Sequence, residues 1–421
     1  MPSPRFILFS SVALILIRFA GSAFLSALNR RQVRLHADKA PDAVAGIMDP
    51  ETYRRSVAYT VAKSVFGQVE DAWSTGVLLV VLLFGILPAS LGAWTGFAGS
   101  GVWAEAGWLY LVGTILSLPD LPLDWWSQFR LEERFGFNRS TLKTWIVDRL
   151  KGLLISAVIA FPLVALLLSI TRKLGPAWWI WAWALIIGFQ LLMIVVAPIL
   201  ILPLFNKFTP LPDGTLRDRL LKLGERTGFS ARTIQVVDGS RRSGHSNAYF
   251  TGFGRFRKIV LYDTLIQQLT EPELEAVLAH EIGHYKRGHI PRMLAWMAFS
   301  LFGAFGVIGW LARQPEFPQA FGFRPDSGLA PVLLLFGILG GTVTFWFTPL
   351  GNFWSRKHEY EADAYAVKTM GEVESLVGAL RKLHEKNLAN LTPHPLYSAF
   401  HYSHPSLVER EVAMRRVSAG A

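Results

Sequence analysis

The chain alternates between long apolar runs and shorter basic stretches. Seven runs, at about residues 5–26, 74–96, 103–120, 152–171, 177–203, 291–312 and 329–349, approach the roughly 20 residues a helix needs to cross a hydrocarbon core. The third, interrupted by Glu105 and Pro119, is the weakest. The first begins FILFSSVALILIRF. It is long, and no small-residue cleavage site precedes NRRQVR, so it reads as a retained span and not as a signal peptide. Lys and Arg crowd the segments after the first, third and fifth runs, and the intervening connections carry few. The positive-inside rule then puts the N-terminus outside and the C-terminus in the cytoplasm. Residues 204–290 and 350–421 fall on that same cytoplasmic side, where they can meet.

The expected division is a membrane domain over 1–206, with about five spans and a cytoplasmic loop at 119–151, followed by a second domain over 207–421 that the last two spans interrupt. In the second domain, residues 207–235 read as a linker and a polar helix (LRDRLLKLGERTG). IQVVDG and KIVLYDTLI have the β-branched content of strands, and RRSGHSNAYFTGFG between them reads as a loop or edge segment. The stretch LTEPELEAVLAHEIGHYKRGH reads as a helix. Thr270 and Glu273 fit a capping box, Pro272 sits in the first turn, and Leu274, Val277, Leu278 and Ile282 form an apolar stripe.

Composition narrows the function classes. Hydrophobic residues make up 51% of the chain and charged residues 17%, against about 25% charged in soluble domains. The net charge of +11 would raise nucleic acid as a partner for a soluble protein. Here it follows membrane topology, so the expected partners are the lipid bilayer and a peptide or protein substrate, with no nucleic acid. There is no cysteine, so any zinc must be held by nitrogen and oxygen.

That helix carries HEIGH, an HExxH. Residues four apart project from nearly the same helix face, so His280 and His284 can share one zinc ion. Glu281, beside them, can accept a proton from a water whose pKa zinc lowers to about 7. The competing reading is a chance HExxH on a solvated helix. A third ligand is needed. A histidine six residues after the second would serve, but that position is Ile290; His289 is one residue short and is read as a helix-end or supporting residue. The helical stretch SRKHEYEADAYAVKTM offers Glu359, Glu361 and Asp363. Glu359 and Asp363 share a face, so one can bind the metal while the other orients a ligand histidine; Glu361 faces elsewhere and is set aside.

HEIGH followed by SRKHEYEADAYA resembles the M48 metallopeptidases, and within them the Ste24 type, the CAAX prenyl protease 1 group. LPLDWWSQFRLEERFGFNRSTLKTWIVDRLKG, SGHSNAYFTGFGRFRKIVLYDTLI and HPLYSAFHYSHPSLVERE extend the likeness from about residue 30 to 416, nearly the whole chain. Seven spans set it apart from the shorter HtpX-type relatives. The resemblance implies a mainly α, integral-membrane fold. Seven transmembrane helices would enclose a chamber, capped by a cytoplasmic zincin-like α+β metallopeptidase domain. It further implies one Zn2+ per chain on His280, His284 and Glu359, with Asp363 behind them. Asn247 would lie near the substrate backbone, and His404 and Arg410 would line the site. From this follows our expectation that His404 donates to the developing oxyanion.

The implied activity is removal of the C-terminal tripeptide from prenylated CAAX-type proteins. The absence of cysteine, the short external loops and the compact length point to a bacterial inner membrane more than to the endoplasmic reticulum. Two rival readings follow. A quality-control endopeptidase would use the same chemistry on misfolded or stalled membrane proteins. A transporter with an incidental HExxH would line a path with intramembrane charges, and the spans hold few.

Overall fold

The computed structural model describes residues 2–229, 233–251 and 258–420. Among these residues seven helical segments are long and apolar enough to span a membrane: Pro4–Leu35, Pro50–Leu83, Val102–Phe135, Leu142–Lys173, Gly175–Phe205, His289–Leu311 and Ala330–Met370. Large apolar side chains stay exposed along them, Phe9, Leu154, Val158 and Phe299 among others, as on surfaces that meet lipid tails.

Each of the seven expected runs falls within or overlaps one of these segments, with two corrections. The run at 74–96 is not one span. Its first half ends the long helix Pro50–Leu83, and Gly85, at φ +68°, breaks the chain before a separate helix Ile86–Ala98. The long helix starts far upstream because Asp49 caps it, accepting from the amides of Glu51 (2.9 Å) and Thr52 (3.0 Å) ahead of Pro50. Its first turns bury Tyr53 and bond Ser56 Oγ to the Ala389 carbonyl (2.7 Å), so they belong to packing that apolar run length does not report. The second correction concerns the loop expected at 119–151, which is mostly helix. A π-turn at Ser127–Glu132 carries the third segment on to Phe135, and Thr141 caps Leu142–Lys173 by accepting the Thr144 amide (3.1 Å).

A four-stranded sheet in the order β1-β2-β4-β3 stands beside these helices, from β1 (Phe208–Pro210), β2 (Thr233–Val237), β3 (Ala248–Thr251) and β4 (Lys258–Tyr262). β2 and β4 are parallel and match the two strands read from the sequence; β1 and β3 pair antiparallel at the edges. β1 is only three residues long, too short for alternation to reveal. Part of the GRF-rich segment before β4, residues 252–257, lies outside the described residues, as do 230–232 of the expected polar stretch.

The helix Glu271–Lys286 carries HExxH and packs in the core against the helices Thr348–Met370 and Glu374–Lys386. Its capping box is present: the Thr270 amide donates to Glu273 Oε2 (2.7 Å), which also accepts from Lys382 Nζ (2.8 Å). The two halves of this domain are each continuous with a span. His289–Leu311 follows the HExxH helix after a single turn, and Ala330–Thr344 runs through a short 3-10 turn into Thr348–Met370. Arg242 clamps the sheet side to the membrane side through Asp148 (2.8 and 3.2 Å). Between the helices and this domain lie two cavities, of about 1310 and 630 Å³, and both are lined in part by Lys63 and His245.

Candidate metal centre

Helical spacing puts His280 and His284 on one face of the HExxH helix, their ring centroids 4.8 Å apart. The helix Thr348–Met370 crosses that face closely because the crossing residues are small. Ala279 and Ala362 are fully buried, and a β-carbon on Gly283 would stand 3.0 Å from the Ala362 Cα and carbonyl oxygen. A side chain at the glycine of HEIGH would crowd this crossing, whose closeness brings Glu359 within reach of both histidines.

The three donor groups converge. His280 Nε2 and His284 Nε2 are 3.2 Å apart. His284 Nε2 is 3.3 Å from Glu359 Oε1, and His280 Nε2 is 3.5 Å from Glu359 Oε2. Ligand bonds of about 2.0–2.1 Å at tetrahedral angles put ligand atoms about 3.3–3.4 Å apart. The two Nε2 atoms stand near such an edge, and each has one oxygen of the Glu359 carboxylate at 3.3–3.5 Å. Glu359 Oε2 is buried with no hydrogen-bond donor, an acceptor that a cation would satisfy. Two imidazoles and a carboxylate form a donor set suited to catalytic zinc. Among the described residues this is the one group of three or more histidine or acidic side chains that could hold a metal ion.

Behind the donors, His280 Nδ1 donates to Asp363 Oδ1 (2.8 Å), which leaves the lone pair of Nε2 facing the site. Asp363 also accepts from Arg410 Nη2 (2.6 Å) and Nε (2.8 Å), and Arg410 Nη1 is 3.4 Å from Glu359 Oε2. Arg410 is only 6% exposed, so it backs the two carboxylates and does not open onto the cavity. Its helix, Leu407–Ser418, starts with a second capping box formed by Ser406 and Glu409. The pair Asp363–Arg410 lies 47 residues apart in sequence, and the fold alone joins it.

Glu281 lies next to these groups. Burial raises its carboxyl pKa, against the opposing pull of His280 and His284. His404 reaches the other side of Glu359, with Nε2 3.5 Å from Oε1, and lines the 630 Å³ cavity. Its ring is open to that cavity, yet the surrounding protein desolvates it enough to lower its pKa. Asn247 is not joined to the cluster. It is exposed at the start of the edge strand β3, where its Oδ1 accepts the Ala248 amide (2.8 Å). His289 and Glu361, set aside as ligands, lie behind the donor set in series: His289 Nδ1 is 2.9 Å from His284 Nδ1, and Glu361 Oε2 is 3.0 Å from His289 Nε2.

Comparison with known proteins covers nearly the whole chain. Residues 29–207 match the family model described as CAAX prenyl protease N-terminal, five membrane helices, and residues 210–418 match peptidase family M48. The CAAX prenyl protease 1 homolog of Arabidopsis thaliana is 38% identical, over 90% of this chain and 91% of that protein. CAAX prenyl protease 1 of Saccharomyces cerevisiae is 37% identical over 94% and 93%, and the Homo sapiens homolog 32% over 92% and 91%. The crystal structure of S. mikatae Ste24p superposes with a TM-score of 0.90 at 34% identity, covering 98% of this chain and 99% of that one.

Proposed function

Because the chain belongs to peptidase family M48 and is a multi-pass membrane metalloendopeptidase, we propose that it removes the C-terminal tripeptide from prenylated CAAX-type proteins, with zinc held by His280, His284 and Glu359. The observation that carries this reading is the convergence of the three donor groups beside a cavity lined by the first two membrane helices and the second domain, a setting suited to a lipid-modified peptide. The reading includes a boundary between membrane and peptidase domains near 206/207. The metal site and C-terminus are cytoplasmic, the N-terminus is outside, and the membrane is a bacterial inner membrane.

When bound, zinc supplies a Lewis acid that polarises the scissile carbonyl and acidifies water. The chain's own residues do the rest. The outer edge of β3 can pair with an extended peptide through main-chain hydrogen bonds, and Asn247 at its start can turn its carboxamide to the peptide backbone. Glu281 accepts the proton of the attacking water and returns it to the leaving amine nitrogen. Ser403 Oγ can donate to His404 Nδ1 (3.0 Å), which keeps a proton on Nε2, the atom facing the site, to donate to the oxyanion as charge builds. Asp363 fixes the His280 tautomer, and Arg410 balances the two buried carboxylates.

The test is cleavage of a farnesylated CAAX peptide by the detergent-purified protein, with and without chelator, beside Glu281→Ala. Metal-dependent tripeptide release that the variant lacks supports the proposal. Glu281-dependent cleavage of an unfolded protein, with no release from the lipidated peptide, would move the function to quality control.

A further inference from the structure

His280 is oriented by Asp363, and His284 has a support of its own. The HExxH helix ends at Lys286, and Gly288, at φ +69°, lets the chain reverse directly into His289–Leu311. That reversal swings His289 back under the helix. His289 is 1% exposed, and its ring lies flat on His358, with centroids 4.0 Å apart and planes 12° apart. Its Nδ1 lies 2.9 Å from His284 Nδ1, and its Nε2 lies 3.0 Å from Glu361 Oε2.

The proton positions follow from the chemistry of the partners. A carboxylate can only accept, so His289 Nε2 carries a proton and donates it to Glu361. A neutral His289 then offers a lone pair at Nδ1, which accepts the N–H of His284 Nδ1. His284 Nε2 is left with its lone pair aimed at the point it shares with His280 and Glu359. Were His289 doubly protonated, His284 Nδ1 would have to accept, and the His284 proton would move to Nε2, where no metal could bind.

We propose that His289 and Glu361 are positioning residues: through the series Glu361–His289–His284 they fix the tautomer and ring plane of His284 as a metal ligand. The two ligand histidines are thus held by separate carboxylates on one helix, His280 by Asp363 directly and His284 by Glu361 through an inserted imidazole. This rests on the reading of His284 as a ligand given above.

The experiment measures zinc affinity of the purified full-length protein against a chelating indicator, with thermal unfolding of the metal-free protein in parallel. Glu361→Ala and His289→Phe lower the affinity about 10–100-fold, the usual effect of removing a group that orients a ligand. Glu361→Gln, whose amide oxygen still accepts from His289, retains most of it. Metal-free unfolding midpoints stay near that of the native protein for both Glu361 variants. Native affinity in Glu361→Ala would overturn the proposal. So would equal loss in Gln and Ala variants, or a loss that tracks a fall in the metal-free midpoint. His284→Ala separates the two levels: if it keeps zinc, the ligand assignment itself fails, and if it loses zinc while the Glu361 and His289 variants keep it, only the positioning role fails.

Discussion

Gly283 stands where a β-carbon would lie 3.0 Å from the backbone of Ala362, so the two helices that carry the three donor groups meet at a point with little room for a side chain. Glu359 is less than one helical turn from that point, and its reach to His280 and His284 depends on the close approach. Gly283→Ala should push the helices apart. We expect a cost of about 1–3 kcal/mol, typical of overpacking, together with weaker zinc retention. Thermal unfolding and metal content measured on the same preparation check this. An unchanged midpoint with full zinc would show that the neighbouring backbone yields freely.

Glu281 and Glu359 should separate chemistry from metal binding. Glu281→Gln keeps zinc and loses about 10²–10⁴-fold in rate, the usual worth of a general base. Glu359→Ala loses zinc itself. Elemental analysis beside a peptide-cleavage assay distinguishes them, and zinc retained in Glu359→Ala would mean that another group completes the donor set.

Arg410 is buried against two carboxylates, so its loss leaves buried charge without a partner. Arg410→Met should destabilise the fold by about 3–5 kcal/mol, because removing one side of a buried ion pair exposes the desolvation cost of the other. A lower unfolding midpoint is the expected result. Native stability would mean that water or another cation reaches Asp363.

His404 faces the cavity, with Ser403 Oγ on its Nδ1 and Nε2 toward Glu359. His404→Ala is expected to lower kcat by about 10²–10³-fold with little change in KM or zinc content, as when an oxyanion donor is removed. A rise in KM with kcat intact would move His404 from transition-state stabilisation to ground-state binding.

Thr270 tests the local structure of the HExxH helix and nothing in the chemistry. Thr270→Ala should cost about 1 kcal/mol, the typical worth of an N-cap, and leave turnover per folded molecule unchanged. Denaturation and kinetics of the same sample provide the comparison.

What the sequence determined by itself was local. A span is read from about 20 consecutive apolar residues, and seven such runs were legible because hydrophobic length is a property of the run alone. The HExxH helix, its capping box and the shared face of His280 and His284 are likewise set within a few turns. The same reasoning shortened the helix Pro50–Leu83, whose first turns pack against protein and so need no continuous apolar run. Tertiary structure decided what depends on contacts between distant segments. It turned Glu359 toward both Nε2 atoms and Asp363 toward Nδ1, a choice that their shared helix face left open. It buried Arg410 behind them and left Asn247 exposed just ahead of the edge strand β3, apart from the cluster. It also brought His289 under His284, where helical extrapolation fails because the helix ends at Lys286 and Gly288 turns the chain. Periodicity describes directions along one helix; which donors share a metal depends on how closely two helices can approach.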